Sequence, residues 1–194
     1  MNPPIQFKRT FLLTMIVSLS ISALIGIIIF LFGNFGETEG RLLMTTLTVG
    51  GYSLTGLCCS VLFERRTYTG LAVAGMALSV LGFLFTLLVI WEALDMESEY
   101  TWKGLFLFLI LAFSSAHASL LLLIRSDSGI VKGVLAATIV FIAVVAGMLV
   151  WFTFTGFDIE EEFFYRLLGV FAILDVLGTI VTPILHKVYS GKVE

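Results

Sequence analysis

Six long apolar runs divide the chain at nearly regular intervals, and short polar segments separate them. Each run has about the 20 residues that a helix needs to cross the hydrocarbon core of a bilayer. None shows the alternation over about ten residues that is typical of a membrane barrel strand. The pattern therefore predicts an all-α integral membrane protein, a bundle of six transmembrane helices. The runs cover residues 11–32, 42–63, 71–91, 104–124, 133–154 and 167–185.

The composition agrees with a membrane protein. Only 13% of the residues are charged and 59% are hydrophobic, whereas a soluble domain carries about 25% charged residues. No polar segment between the runs is longer than a loop. The sequence therefore predicts a single membrane domain over residues 1–194.

The first apolar run resembles a secretory signal because Lys8 and Arg9 precede it. It covers residues 11–32, which is longer than the apolar region of a signal peptide, and no small-residue cleavage site follows it. We therefore interpret it as a retained first transmembrane helix.

The basic residues predict the orientation. If the N-terminus is cytoplasmic, eight Lys and Arg residues fall on the cytoplasmic side and three on the outer side, as the positive-inside rule requires. Ten of the 14 acids fall on the outer side. We therefore expect both termini to be cytoplasmic. Compact loops and the lack of a transit peptide favour a prokaryotic plasma membrane. The eight are Lys8, Arg9, Arg65, Arg66, Arg125, Lys132, Lys187 and Lys192.

The three outer basic residues, Arg41, Lys103 and Arg166, suggest an internal repeat. Each follows an acidic loop and opens a helix that runs inward, and they lie 62 and 63 positions apart. This spacing predicts three helical hairpins with pseudo-threefold character. The alternative interpretation is that six helices with short loops are evenly spaced in any case. The hairpins cover residues 1–66, 67–126 and 127–194.

Small residues predict where helices pack closely. The three inward-running helices carry many small and polar residues, so we expect them near the centre of the bundle. Gly75 with Ser79, and Ala143 with Gly147, are spaced so that small residues stack on one helix face. Both pairs predict close helix contacts.

Asp175 is the main candidate for chemistry because it lies in the middle of the last apolar run. A carboxylate at this depth costs about 2.5–3.5 kcal/mol on insertion scales. Thr179, Thr182 and His186 lie on the same helix face and extend a polar stripe towards the cytoplasm. Pro183 removes one backbone hydrogen bond within this stripe. The alternative interpretation is an Asp that only fastens this helix to its neighbours.

Counting residues inward from the three outer basic residues predicts which side chains share a depth. Tyr52 and Ser114 lie within about 3 Å of the level of Asp175 at 1.5 Å per residue, so either is a candidate donor to it. His117 lies deeper and close to the level of Thr179. His117 is interpreted as a hydrogen-bonded histidine or as a proton relay.

The sequence gives little support for a metal, a cofactor or an enzyme. Cys58 and Cys59 are adjacent, which argues against a mutual disulfide, and no third metal ligand lies at a recognisable spacing. Haem with two histidines needs both at one depth, and His117 and His186 lie at different depths. Motifs of hydrolases, metalloproteases and nucleotide-binding proteins are absent. We therefore expect a non-enzyme with no cofactor and no metal.

The sequence is compatible with two functions. The first is a structural or accessory subunit that packs against other membrane proteins or copies of itself. We expect it to contact the lipid bilayer and to bind no nucleic acid. The alternative is a small transporter or channel for a proton, ion or small solute that uses the polar residues around Asp175. A lipid- or quinone-active enzyme needs more polar residues at one depth than the sequence offers. The candidate site comprises Asp175, Thr179, Thr182, His117, Tyr52 and Ser114.

Overall fold

In the computed structural model, the described residues form six helices. The first helix, α1, is helical at the described positions between residues 13 and 28, and its ends lie outside the described residues. The predicted span 11–32 is therefore described only in part. The structure describes residues 13, 16, 17, 20, 21, 23–28, 36–66, 68–95, 98–126, 128–155 and 162–190.

Five helices are described from end to end, and each is long and apolar enough to cross a membrane. With 22 to 29 residues, they extend over about 33 to 44 Å. The described residues contain no strand. The prediction of an all-α membrane protein is confirmed at this level. The helices are α2 Glu37–Glu64, α3 Thr69–Ile90, α4 Glu99–Leu121, α5 Gly129–Thr155 and α6 Glu162–Ser190.

The helices extend beyond the apolar runs, because charged residues form the first or last turn of several helices. Helices α2, α4 and α6 each begin with a glutamate in the first turn, at Glu37, Glu99 and Glu162. A negative charge there interacts favourably with the exposed backbone N–H groups and the helix dipole. Helix α6 continues through Pro183 and carries Lys187 in its last turn, where a positive charge is favourable.

Helices α2, α3 and α4 contact one another, α5 packs on α4, and α6 packs on α5. Gly26 of α1 faces Leu43 of α2, since a Cβ at Gly26 would lie 3.9 Å from that side chain. The most buried spans are α2 and α4, as expected for inward-running helices. For α6 the expectation of a central position is wrong, because only 6% of its span is buried, against 33% for α2.

The tightest packing lies where α2, α3 and α4 meet. A Cβ added at Gly75 of α3 would overlap the sulfur of Cys59 and lie 3.1 Å from Ser115 Oγ. One turn along α3, the buried Ser79 hydroxyl lies 2.9 Å from Thr55 Oγ1. The close contact predicted from Gly75 and Ser79 is therefore confirmed. Cys59 is fully buried in this contact and its thiol is free.

The second predicted small-residue contact is wrong. Ala143 and Gly147 of α5 are exposed, and a Cβ at Gly147 would meet no atom within 4 Å. The buried face of α5 is offset by one residue and carries Thr138, Ile142 and Ala146. The glycine that permits close approach comes from α6 instead, where a Cβ at Gly178 would overlap the Thr138 side chain.

Salt bridges recur at the start of three helices. Each joins a glutamate in the first turn of α2, α4 or α6 to the basic residue four positions later. These basic residues are the three that are predicted to lie on the outer side. The pairs are Glu37–Arg41, Glu99–Lys103 and Glu162–Arg166.

Two of these basic residues also join neighbouring helices. Arg41 of α2 forms a salt bridge with Glu92, directly after α3. Lys103 of α4 donates a hydrogen bond to the Phe154 carbonyl near the end of α5, at 3.1 Å. Both contacts span 51 positions of sequence.

Candidate functional site

Helices α2, α4 and α6 line an open cavity of about 940 Å³, which we call the groove. Its walls are mostly apolar, and several of them are exposed to the surroundings of the bundle, such as Leu54 and Phe113. Its few polar side chains are Thr48, Tyr52, Thr55, Thr86, His117 and Asp175.

Asp175 of α6 lines the groove. Its position along the helix explains why burying its carboxyl group in the membrane costs free energy. It lies nine residues after Arg166, about 13.5 Å along the helix, which is close to the middle of a hydrocarbon core about 30 Å thick. Its Oδ1 atom is covered by protein and accepts no hydrogen bond from the described residues. An unsatisfied polar atom of this kind costs about 1–3 kcal/mol.

His117 of α4 joins α6 through a hydrogen bond with Thr179. The two side chains approach to 2.9 Å between His117 Nε2 and Thr179 Oγ1, which confirms the predicted common depth. The Thr179 hydroxyl donates its only proton to the Asp175 carbonyl at 2.8 Å. It therefore accepts from the imidazole, and the network assigns the proton of neutral His117 to Nε2.

We expect the His117–Thr179 hydrogen bond to be measurable as a coupling energy. In a double-mutant cycle of His117→Phe and Thr179→Val, the interaction energy should be about 0.6 kcal/mol, with an upper bound of about 1.7 kcal/mol. The measurement is reversible unfolding in mixed detergent micelles. A cycle of His117→Phe with Thr182→Val is the control, because among the described residues the Thr182 hydroxyl bonds only the Gly178 carbonyl of its own helix. Equal coupling in both cycles would contradict the assigned contact.

Tyr52 also lines the groove, but its hydroxyl is directed elsewhere. It lies 3.2 Å from Thr86 Oγ1 of α3, and the ring packs on Gly82, where a Cβ would approach Tyr52 Cε1 to 2.6 Å. Ser114 is half-buried and does not line the groove. The expectation that either residue donates to Asp175 Oδ1 is therefore not met by the structure.

The six predicted site residues separate into two groups. Asp175, His117 and Tyr52 line the groove, and Thr179 is bonded to His117 at its edge. Thr182 is fully buried and donates to the Gly178 carbonyl at 2.6 Å. Thr182 therefore bonds within its own helix, and neither Thr182 nor Ser114 lines the groove.

Three threonines of the groove were not selected from the sequence. Thr48 and Thr55 flank Tyr52 at helical spacing, so all three share one face of α2. Thr86 is the one polar side chain in the stretch 80–90 of α3. The face shared by Thr48, Tyr52 and Thr55 was a signal that sequence reasoning could have used.

The groove offers hydrogen bonding within an apolar enclosure. It contains one carboxylate, one imidazole, one phenol and three hydroxyls along largely apolar walls, the usual arrangement of a site that orients an apolar occupant. Within the part of the chain that the structure describes, no group of three His, Cys, Asp or Glu residues is placed to hold a metal ion.

Comparisons with known proteins give no match from which a function could be assigned. No protein-family model, no curated protein and no solved structure matches the chain.

Proposed function

We propose that this chain is a non-catalytic accessory subunit of a membrane-protein assembly, and that the groove receives a transmembrane helix of a partner. The observation that carries the proposal is Asp175, which lines the groove and has an oxygen without a donor. The partner helix supplies a donor to the Asp175 carboxyl group from the groove side, at the depth where this residue lines the groove.

The bilayer itself is a poor occupant of this site. Lipid chains match the apolar walls but carry no hydrogen-bond donor at mid-bilayer depth, so they leave the cost of Asp175 in place. Ionisable groups inside membranes usually pair with one another or with backbone carbonyls. A helix with a donor pairs with the carboxyl group from the groove side and covers the exposed Leu54 and Phe113 at the same time.

The partner is better sought in another protein than in a second copy. All 11 Lys and Arg residues of this chain lie outside the six apolar runs. A second copy therefore has no cation to place opposite Asp175. A partner helix with a Lys, an Arg or an amide side chain at its centre fits the groove best.

The proposal includes three repeated hairpins in a single membrane domain, with both termini cytoplasmic. Three observations support the repeat. The helix-opening salt bridges at Arg41, Lys103 and Arg166 occupy equivalent positions. The two contacts that join these openings to neighbouring helices span 51 positions each. The pair His117 and Thr179 is separated by 62 positions, one repeat.

A second candidate function is transport of a proton, ion or small solute. The observation that favours it is the connection between the imidazole of His117, the hydroxyl of Thr179 and the backbone of Asp175 within one groove. This candidate predicts flux in liposomes containing the purified chain, and loss of that flux in Asp175→Asn. Wild-type flux in the variant would exclude it.

Site-specific photo-crosslinking in the native membrane tests the accessory role. A photo-reactive residue at Leu54, inside the groove, should crosslink one partner polypeptide in stoichiometric yield. The same residue at Leu81 of α3 is the matched control, because Leu81 is similarly exposed and does not line the groove. Crosslinking at Leu54 should fall at least tenfold in Asp175→Leu.

Two results would contradict the accessory role. One is crosslinking of lipid alone from Leu54, and the other is a polypeptide adduct that persists in Asp175→Leu. Either would show that no partner helix depends on the carboxylate.

A further inference from the structure

A second cavity, of about 1420 Å³, lies at the end of the bundle where α3 and α5 begin and α4 and α6 end. It is separate from the groove, since the two cavities share no lining residue. Positive-inside counting places this end at the cytoplasmic surface. We call it the basal cavity.

The rim of the basal cavity is cationic. Arg125 and Lys132 both line it, and its described lining includes no Asp or Glu. Lys132 forms no salt bridge with a described residue. Arg125 donates to the Arg65 carbonyl at 3.4 Å, and a guanidinium has five N–H donors in total. The acid of this turn, Asp127, lies outside the described residues.

Hydroxyl groups add donors at the same rim. Tyr68, Ser126, Ser128 and Tyr189 all line the cavity beside the two cations. Charged and hydroxyl donors together suit the oxygens of a phosphate group. The rim therefore matches an anionic, phosphate-bearing headgroup.

The inner wall of the basal cavity is apolar. Val131, Leu135 and Ile139 line it from α5 at four-residue spacing, which extends over about 12 Å of helix. Leu71 of α3 and Leu122, directly after α4, also line the cavity. A soluble phosphate compound would leave this apolar wall uncovered, whereas the acyl chain of a lipid would pack against it.

We propose that the basal cavity binds one anionic phospholipid, with its phosphate at Arg125 and Lys132 and an acyl chain along α5. Basic pockets between transmembrane helices on the cytoplasmic side bind such headgroups. Arg125 and Lys132 in the lining favour a lipid of net negative charge over a zwitterionic one, whose own cation would face them. This inference is independent of the partner helix in the groove.

Native mass spectrometry of the purified chain in non-ionic detergent tests the proposal. We expect phosphatidylglycerol to bind as one retained lipid, with phosphatidylcholine binding far more weakly. Each cation near a membrane surface is worth about fivefold in affinity for anionic lipid. The double variant Arg125→Gln/Lys132→Gln should therefore lose about 30-fold in phosphatidylglycerol affinity, and Lys132→Gln alone about fivefold.

A matched control separates the cavity from the general charge of this end. Arg66→Gln/Lys187→Gln removes two cations at the same end that do not line the cavity, and should bind phosphatidylglycerol like wild type. A second variant, Ala136→Trp, fills the apolar wall from an exposed lining position and should reduce lipid retention with the cations in place.

Three results would overturn the proposal. Equal loss in the control pair would leave only diffuse surface attraction. If phosphatidylcholine is retained as well as phosphatidylglycerol, the net charge of the lipid does not determine binding. Full competition by inorganic phosphate, with wild-type binding in Ala136→Trp, would assign a simple anion site to the rim.

Discussion

Gly75→Leu is expected to destabilise the protein by about 3 kcal/mol or more, the upper range for overpacking a tight core. The reason is local: a Cβ alone would overlap Cys59 and press on Ser115 Oγ at 3.1 Å, so α2, α3 and α4 have to separate. Cys59 is fully buried and has no space to move into. The measurement is unfolding in detergent as a function of denaturant.

The matched control for Gly75 is Gly147→Leu. Gly147 also lies inside a transmembrane helix, and a Cβ there would meet no atom within 4 Å, so its stability should change by less than about 0.5 kcal/mol. Gly75→Ala should lie between the two and keeps the comparison measurable if the leucine variant does not fold. Equal stability of both leucine variants would contradict the three-helix contact.

The second large effect concerns Asp175, whose replacement should stabilise the isolated chain and destroy its assembly. Asp175→Leu removes a covered oxygen without a hydrogen bond, so the purified protein should gain about 1–3 kcal/mol in unfolding free energy. The same change removes the acceptor for the partner helix. Recovery of the partner should therefore fall at least tenfold. Opposite signs for stability and assembly are the signature of a polar group retained for binding.

Two further variants distinguish the contribution of the Asp175 carboxylate to assembly from that of the rest of α6. Asp175→Asn keeps the shape and should retain only part of the assembly. Ile173→Ala, at an exposed position of α6 that does not line the groove, should assemble like wild type. If Asp175→Leu destabilises the isolated chain and leaves assembly intact, the carboxylate has a structural role only.

The sequence predicts the helices well because the bilayer makes a strict demand on the backbone. With no water in the hydrocarbon core, each apolar run must satisfy its own N–H and C=O groups. The runs at 42–63 and 167–185 accordingly lie inside α2 and α6. Depth was predictable for the same reason, since constant helix rise places His117 beside Thr179.

The neighbours of each helix were less predictable. Lipid and protein interior are equally apolar, so a transmembrane helix has no strong polar face that distinguishes them. This explains why Ala143 and Gly147 were assigned to a contact face that is offset by one residue in α5. It also explains why the polar stripe of α6 did not reveal that this helix is the least buried of the five.

The members of the candidate site were predictable only in part, since Thr182 and Ser114 do not line the groove and three threonines that do were not selected. Residue type singled out Asp175 and His117, depth singled out Tyr52, and all three line the groove. Their partners depend on side-chain direction, which depth alone does not give. Tyr52 lies at a suitable level for Asp175, yet its ring packs on Gly82 and its hydroxyl lies against Thr86.

The most direct test of the accessory role is the mass of the particle obtained by gentle native purification. The chain itself has a mass of 21.3 kDa. We expect a discrete larger assembly with a second polypeptide in fixed stoichiometry, which Asp175→Leu reduces to the bare chain. A stable monomer from the wild-type membrane, with the same mass in Asp175→Leu, would contradict the account.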